Sequence, residues 1–353
     1  MPHRPALLLV TPYAADANNG NWRTAARWAR LLAPRYRVRI QGPDDPVVGG
    51  GRDDAVALIA LHARRSARAI RAWSRLRPDA ALLVALTGTD LYRDLPAGDT
   101  DAAASIAVAD RLIALQDDAP THLPLAARAK TDVVFQSART LKPWPGKRDD
   151  RLHCLLVAHL REEKDPRTAF AAWRALAPDV PATLNIIGAT LDRALGDAAR
   201  ALATADPRVR VLGARPHAWT RQAIKRAHLL LVPSTMEGGA NVVVEAVTSG
   251  TPVVGSRMSG NVGMLGPDYP GWFDVGDASG LAALVRRAHG DRSFLAGLAA
   301  ACARRAPRFA PAAEAAALRD SVERARSAAK LRAGRMSGFA PARTPVPSNP
   351  GTP

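Results

Sequence analysis

The sequence predicts an α/β protein with two doubly wound, Rossmann-like domains that face each other across a cleft. Short apolar runs of strand length alternate with Ala- and Arg-rich helical segments along the chain, which is typical of parallel sheets covered by helices. A stretch at 138–150 with two prolines and a glycine divides this pattern into two similar halves. The chain has 353 residues, which is enough for two domains with a core each.

The first domain is predicted at residues 1–147, and its strands are short apolar runs. These strands are predicted at 5–10, 36–41, 53–63, 78–90, 110–116 and 131–135. The turn at 18–21 is polar, contains a glycine and precedes a predicted helix at about 21–33. Free backbone N–H groups at such a helix start suit an anion or a hydroxyl-rich ligand.

The second domain is predicted at residues 148–330, with the same alternation of strands and helices. Its strands are predicted at 152–158, 183–187, 208–212, 228–232 and 252–255, and its last helices at 281–305 and 311–329. The segment 331–353 is rich in Pro, Gly, Ser and Arg and has no apolar period. We therefore expect a disordered, basic, Pro-rich tail.

Composition narrows the functional class. The net charge is +17, which favours anionic partners and keeps open a nucleic-acid-binding protein as an alternative. The arginines are scattered over helices without an aromatic platform or zinc-type spacing, so small polyanionic substrates are the better expectation. With two cysteines, no apolar run of about 20 residues and a short apolar N-terminal run, we expect a cytoplasmic protein without stable membrane association.

Metal and cofactor sites are not expected. The acidic pairs of the sequence are adjacent residues, whereas a metal site of the Asp-x-Asp type needs a spacer. The histidines are single and scattered, which fits solvation or capping better than metal ligation.

The stretch 229–254 carries the densest chemical pattern. An apolar strand is followed by a glycine turn and a short helix, with Glu237 in the turn and Glu245 in the helix. At the rise of a helix these carboxylates lie about 10 Å apart, roughly the distance between the sugar and the ribose of a nucleotide sugar. Gly238 and Gly239 leave backbone N–H groups available for a phosphate.

This Glu–seven residues–Glu pattern resembles the donor signature of retaining glycosyltransferases of family 4, also called group 1. The resemblance implies the GT-B fold, in which two Rossmann-like domains face each other. It implies that Glu237 contacts the transferred sugar and that Glu245 holds the ribose hydroxyls. The remaining donor-binding candidates are Gly238, Gly239, Ala240, Asn241, Asn261 and Gly263, the last two from a Gly- and Asn-rich loop at 259–269.

The segment 158–166, AHLREEKDP, forms a second pattern after the first strand of the second domain. Basic side chains at a strand end can neutralise a diphosphate leaving group. The segment resembles the Gly-Arg-Leu…Lys-Gly motif of family 4, which implies that Lys164 clamps the diphosphate. His159 occupies the position of the family's Arg, and Arg161 is the candidate to supply the guanidinium.

The segment LTGTDLYRD at 86–94 forms a third pattern. Family 4 enzymes often carry His-Gly-x-Asp here, and this chain has Thr87 in place of the His. A plain β-turn followed by an Asp-capped helix explains the segment equally well. The candidates for acceptor binding are Asn19, Gly20, Asn21, Thr87, Thr89 and Arg93.

Five blocks carry a finer resemblance over about residues 5–320. LTGTDLYRDL, HLREEKDP, MEGGANVVVEA, SGNVGMLGPDY and CARRAPRF resemble the selenosugar synthases of selenoneine biosynthesis, a group within family 4. This resemblance implies metal-independent transfer of a sugar, N-acetylglucosamine, from a UDP-sugar to selenophosphate, with formation of a carbon–selenium bond. The alternatives are a conventional family 4 enzyme with a lipid or saccharide hydroxyl as acceptor, and the nucleic-acid-binding protein named above.

Overall fold

The protein is described by a computed structural model that covers residues 4–12, 20–49, 54–147 and 150–337. In this part of the chain, twelve strands form two parallel sheets of six strands each, with helices between the strands. The predicted fold class, α/β with two Rossmann-like units, is confirmed.

The first sheet contains the six strands predicted for the first domain. They are β1 (Ala6–Val10), β2 (Arg37–Gln41), β3 (Ala55–Leu61), β4 (Ala81–Ala85), β5 (Arg111–Ala114) and β6 (Thr131–Val133), in the order β2-β1-β3-β4-β5-β6. The helices of this half are α1 (Gly20–Leu32), α2 (Ala67–Leu76), α3 (Thr100–Val108) and α4 (Leu125–Arg128). All residues of β1 and β4 are buried, because helices cover both faces of the sheet.

The second sheet has the strand order of a Rossmann fold. Its strands are β7 (Leu152–Val157), β8 (Ala182–Ile187), β9 (Val209–Gly213), β10 (Leu229–Val232), β11 (Val253–Ser256) and β12 (Trp272–Phe273), in the order β12-β11-β10-β7-β8-β9. Strand β12 has two residues and was not predicted, since so short a run has no readable period.

Seven helices accompany the second sheet between residues 150 and 310. They are α5 (Pro166–Arg174), α6 (Arg193–Ala205), α7 (His217–Arg226), α8 (Asn241–Val247), α9 (Ser259–Leu265), α10 (Ala278–Gly290) and α11 (Arg292–Arg305). The single helix predicted at 281–305 is wrong, because Asp291 separates α10 from α11. Its side chain accepts a hydrogen bond from Phe294 N at 2.9 Å and so caps the start of α11.

Each sheet has one point where the strand order reverses direction, and ligands of such folds bind beside it at the carboxyl ends of the strands. In the first sheet this point lies between β1 and β3, and in the second between β7 and β10. The segments that follow these four strands are therefore the candidate positions for a ligand-binding site.

Helix α12 (Pro311–Ser337) corrects the predicted tail. Residues 331–337 are helical, whereas residues 338–353 lie outside the described residues. Arg332 explains part of the extension, because its guanidinium forms an ion pair with Asp110 and donates to the carbonyl oxygen of Pro78 at 3.0 Å. The polar contacts of a basic side chain thus stabilise the last turns of the helix, and the sequence has no apolar period there that would predict them.

Helix α12 packs on the first sheet although it follows the second in the chain. Leu318, Val322 and Ala325 are fully buried in one cluster with residues of β1, β3 and β4. The chain order predicts residues 311–330 in the second domain, but the apolar face of this helix covers the first sheet. No helix of the described ranges is long and apolar enough to cross a membrane.

Candidate active site at the domain interface

Lys164 and Glu237 meet at the point where the second sheet reverses its strand order. Lys164 follows β7 and Glu237 follows β10, and Lys164 Nζ lies 2.7 Å from both carboxylate oxygens of Glu237. Ser234 Oγ donates to Glu237 Oε1 at 2.7 Å. The Glu237 side chain is only 8% exposed, so the pair is a well-shielded cation–carboxylate contact.

Backbone contacts fix the direction of these two loops. Thr235 N and Met236 N donate to the carbonyl oxygen of Glu163, at 3.1 and 3.4 Å. Asp165 has a φ of 41°, in the left-handed region, and its side chain caps α5 by accepting from Thr168 N at 3.2 Å. The strand-to-helix turn therefore holds Lys164 against the loop that carries Glu237.

The two candidates for the role of the family's Arg differ in their surroundings. His159 Nδ1 accepts a hydrogen bond from Ala189 N at 3.0 Å, which anchors the ring to the end of β8. Arg161 is about half exposed, and its Nε lies 3.8 Å from Glu163 Oε2. Gly188 beside them is required by packing, since a Cβ there would collide with the carbonyl oxygen of Ala158.

Glu245 lies in α8 and forms a hydrogen bond with His217, which was not among the predicted site residues. Glu245 Oε1 is 2.6 Å from His217 Nε2, at the first residue of α7. The Glu245 side chain is largely buried, and that of His217 is about half exposed. Glu237 and Glu245 therefore each contact a basic side chain, Lys164 and His217 respectively.

The loops of the two domains touch backbone to backbone at this site. A Cβ at Gly238 would collide with the carbonyl oxygen of Thr87, and a Cβ at Gly88 would lie 2.8 Å from Gly238 N. Gly88 has a φ of 127°, so glycine is needed there for conformation as well as for space. This contact places the turn with Thr87 and Thr89 directly beside the loop of Glu237.

Asp90 shapes that turn from inside the protein. Its carboxylate is fully buried and accepts hydrogen bonds from the backbone N–H groups of Ala63, Thr87, Gly88 and Leu91, at 2.9–3.1 Å. Thr87 and Thr89 are partly exposed. Arg93 is about half exposed and bonds Asp94 Oδ1 through Nε at 3.0 Å. Asp90 is thus a structural residue of the turn, which leaves the threonines and Arg93 as its ligand-accessible groups.

The start of α1 faces the start of α8 across the same interface. Arg27 Nη1 donates to Asn241 Oδ1 at 3.4 Å, and a Cβ at Gly20 would lie 3.8 Å from Asn241 Nδ2. Gly20 and Asn21 begin α1, whereas Asn19 lies outside the described residues. One acceptor candidate, Gly20, and one donor candidate, Asn241, therefore lie opposite each other.

The loop at 259–269 forms helix α9 and contacts both domains. Asn261 is buried and donates through Nδ2 to the carbonyl oxygen of Ser256 at 3.0 Å. A Cβ at Gly263 would collide with Gln116 Oε1 in the first domain. Ala240 is buried at the start of α8. The donor-binding roles of these three residues stay predictions.

Tyr92 and Glu314 are interface residues that the sequence analysis missed. Tyr92 Oη accepts from Gln116 Nε2 at 2.6 Å and lies 2.9 Å from Ser259 Oγ across the interface, and burial raises the pKa of Tyr92 to about 12. Glu314 in α12 accepts from Arg27, Trp28 Nε1 at 2.7 Å and the backbone N–H of Ser137 at 3.0 Å. Tyr92 lies in a quoted block, but nothing near Glu314 in sequence indicates its distant partners.

A separate groove of about 590 Å³ lies along α7 and contains none of the predicted site residues. Its lining includes His153, Asn185, Leu212, Trp219 and Ala223. This groove is not lined by the carboxylates and cations at the interface that carry the chemistry, so its size alone does not make it the candidate site.

Residues 138–308 match the family Glycosyl transferases group 1. This segment is a group 1 glycosyltransferase domain. The match begins in the stretch predicted as a linker and includes Lys164, Glu237 and Glu245. The site described above therefore takes its second-domain half from the glycosyltransferase domain and its other half from the turns of the first domain.

Solved structures with a similar fold cover nearly the whole chain. HepE of Anabaena in complex with UDP and glucose matches with a TM-score of 0.73 and 17% identity, over 91% of this chain and 100% of HepE. Sucrose-phosphate synthase of Thermosynechococcus elongatus matches with a TM-score of 0.71 and 17% identity, over 95% of this chain and 100% of the synthase. The glycosyltransferase domain thus forms, with the first domain, the GT-B arrangement of two Rossmann-like units.

The pneumococcal O-GlcNAc transferase GtfA in complex with UDP and GlcNAc is a more distant structural neighbour. It has a TM-score of 0.61 and 17% identity, over 76% of this chain and 56% of GtfA. At these identities the likeness concerns the fold.

Proposed function

We propose that the protein transfers N-acetylglucosamine from UDP-N-acetylglucosamine to selenophosphate and forms a carbon–selenium bond. The observation that carries the transfer chemistry is the Lys164–Glu237 pair at the strand-order reversal of the glycosyltransferase domain, with Glu245 one turn into the following helix. A cation and two carboxylates at this position suit a ligand with a diphosphate at one end and hydroxyl-bearing rings on both sides of it.

The donor roles follow from the charges and positions of the residues. Lys164, with His159 or Arg161, would neutralise the diphosphate, and the N–H groups at Gly238 and Gly239 would add hydrogen bonds to it. Glu245 would accept hydrogen bonds from the ribose hydroxyls and Glu237 from the sugar. Structural neighbours that bind UDP with glucose or GlcNAc support a UDP-sugar as donor.

Lys164 Nζ contacts both carboxylate oxygens of Glu237, so a donor diphosphate that binds Lys164 would replace that contact. A diphosphate would take over Lys164, and the sugar hydroxyls would then satisfy Glu237. This exchange would keep Lys164 and Glu237 each paired before and after binding, which avoids the cost of an uncompensated charge.

The transfer step needs no metal in this scheme. The bond between the anomeric carbon and the diphosphate oxygen breaks, and its electron pair leaves with UDP. A lone pair of the selenium anion of selenophosphate forms the new carbon–selenium bond. No proton has to be removed from the acceptor, because selenium enters ionised, so the charge that develops on UDP is the main electrostatic demand.

The absence of a base at position 87 supports an ionised acceptor. A hydroxyl acceptor usually requires a general base, and the hydroxyl of Thr87 cannot serve as one near neutral pH. Selenophosphate requires neutralisation and orientation, for which Asn19, Gly20, Asn21, Thr87, Thr89 and Arg93 are the candidates.

The decisive experiment measures UDP release from UDP-N-acetylglucosamine with selenophosphate, thiophosphate, phosphate, simple sugars and lipid acceptors. We expect release that depends on selenophosphate, detection of a selenium-linked sugar by mass spectrometry, and loss of both in Lys164→Ala. Turnover with a sugar or lipid hydroxyl alone would remove the selenium assignment and keep the glycosyltransferase. Salt-sensitive binding of nucleic acid without binding of UDP would favour the nucleic-acid alternative.

A further inference from the structure

His62 occupies a conspicuous position in the first domain. It directly follows β3, at the strand-order reversal of the first sheet, where ligands of this fold type bind. Its residue surface is 1% exposed, and its φ is 74°, in a region that side-chain-bearing residues rarely adopt. Such strain persists only where the surroundings hold the residue in place, and it is often connected with function.

The hydrogen bonds of the ring define its tautomer. His62 Nδ1 accepts from the backbone N–H of Arg65 at 3.3 Å, so the hydrogen of the neutral ring is on Nε2. His62 Nε2 lies 2.8 Å from Thr89 Oγ1. The ring therefore donates to the hydroxyl oxygen of Thr89, and the hydroxyl hydrogen of Thr89 is left for another acceptor.

This arrangement resembles a hydroxyl–histidine–carboxylate triad but lacks its chemistry. In such a triad a carboxylate accepts from Nδ1–H and leaves Nε2 as the base. Here Asp90 Oδ2 is 3.8 Å from Nδ1, and the Asp90 carboxylate is occupied by backbone N–H groups. With its hydrogen on Nε2, the ring cannot take a proton from Thr89 and can only orient the hydroxyl.

Thr89 belongs to the turn that touches the donor loop. Gly88 packs against Gly238 N, the residue after Glu237, and Thr89 is partly exposed. We infer that His62 is a positioning residue, which directs the Thr89 hydroxyl to donate a hydrogen bond to an anionic oxygen of the acceptor. The inference rests on the proposed function. It explains why the acceptor would be an anion, since ionised phosphate-type oxygens only accept hydrogen bonds. Arg93 supplies positive charge in the same turn.

Steady-state kinetics with UDP-N-acetylglucosamine and selenophosphate test the inference. Thr89→Val removes the hydroxyl at nearly constant shape, and Thr89→Ser is the matched control that keeps it. We expect Thr89→Val to raise KM for selenophosphate about tenfold, as for a hydrogen bond to a charged group. KM for UDP-N-acetylglucosamine should change less than about twofold, and Thr89→Ser should stay within about threefold of the wild type.

The His62 variants separate positioning from packing. His62→Ala should raise KM for selenophosphate, and adding Thr89→Val should raise it little further, because both changes remove one function. His62→Gln should recover part of the effect, since its amide supplies an N–H near the place of Nε2. If His62→Ala does not fold, the Thr89 pair and His62→Gln still decide the question.

Each outcome has a distinct meaning. An unchanged KM for selenophosphate in folded Thr89→Val, or independent effects of the two residues, would overturn the inference while UDP-sugar turnover stands. A wild-type protein that releases no UDP with any acceptor would overturn the proposed function and, with it, this inference. An equal rise of KM for selenophosphate and for UDP-N-acetylglucosamine in Thr89→Val would show that the turn is merely distorted and would also overturn the inference.

Discussion

Replacement of Glu314 offers the sharpest test of how the domains are joined. This carboxylate of α12 is almost fully buried and accepts from Arg27 Nε at 2.9 Å, from Trp28 Nε1 and from both the backbone N–H and the hydroxyl of Ser137. Ser137 ends the first domain before the linker, and α12 returns from the second domain. The chain passes from the first domain to the second after Ser137 and returns before α12. The Glu314 side chain forms hydrogen bonds close to both of these points.

The expected loss follows from the groups that Glu314 leaves behind. In Glu314→Ala the Arg27 guanidinium, whose side chain is 15% exposed, loses its carboxylate, and breaking a shielded pair in this way costs about 3–5 kcal/mol. Glu314→Gln keeps one carbonyl oxygen and loses the charge, so a loss of about 2–3 kcal/mol is expected. The unpaired donors of Trp28 and Ser137 act in the same direction, but such losses are not additive.

Urea denaturation followed by circular dichroism measures these losses as shifts of the unfolding midpoint. Glu323→Gln is the matched control, because Glu323 lies in the same helix, is 50% exposed and pairs with Arg326 and Tyr36. Its loss should stay near 1 kcal/mol or below. Equal shifts for Glu314→Gln and Glu323→Gln would refute the idea that the crossings depend on Glu314.

Four further predictions concern binding, the interface, pH and the chain end. Glu245→Ala should weaken binding of UDP and UDP-sugar alike by about 1–3 kcal/mol in calorimetry, whereas Lys164→Ala should depress kcat more than binding; equal losses of both parameters in both variants would contradict this division. Tyr92→Phe removes the hydrogen bond to Ser259 across the domain interface and the one from Gln116 within the first domain, and it should lower the free energy of unfolding by about 1–3 kcal/mol; an unchanged unfolding midpoint would argue against these contacts. Burial lowers the pKa of His153, so the contribution of His153 to stability is complete above the usual pKa of about 6.5 and is lost as the pH falls through the lower folded pKa. His153→Gln should therefore reduce the pH dependence of the melting temperature over that range. An equal pH dependence in both proteins would show that His153 does not cause it. A chain that ends at Lys330 should melt at a lower temperature than one that is seven residues longer, and equal melting temperatures would mean that the last helical turns add nothing.

The strands were predictable because they are buried on both faces. The runs that became β1, β4 and β10 are continuous apolar segments bounded by turn residues. The structure has β1 and β10 within one residue of the predicted bounds, whereas β4 is shorter than the predicted 78–90. The proximity of Lys164 and Glu237 was predictable, since the segments that carry them follow strands of one parallel sheet. Its geometry needed the strand order, which the sequence does not contain.

The other half of the site could not be read from the sequence for physical reasons. His62 stands alone in an Ala- and Arg-rich segment, and its role depends on Thr89, 27 residues away in the chain. Glu314 looks like an ordinary helix-surface glutamate, yet its partner Arg27 is 287 residues distant. Long-range polar contacts of this kind leave no periodic pattern, whereas apolar burial does.

The return of α12 to the first sheet has a consequence for synthesis of the chain. Ribosomes complete the strands of the first sheet before residue 135, but helix α12, which packs against β4 and β5, begins only at Pro311. While the glycosyltransferase domain is being made, the part of the sheet's apolar face that α12 covers is open, although α1 already packs on the same face. The nascent protein therefore offers a chaperone-type binding surface until its last helix emerges, and a fragment that ends at residue 147 would keep that surface permanently exposed.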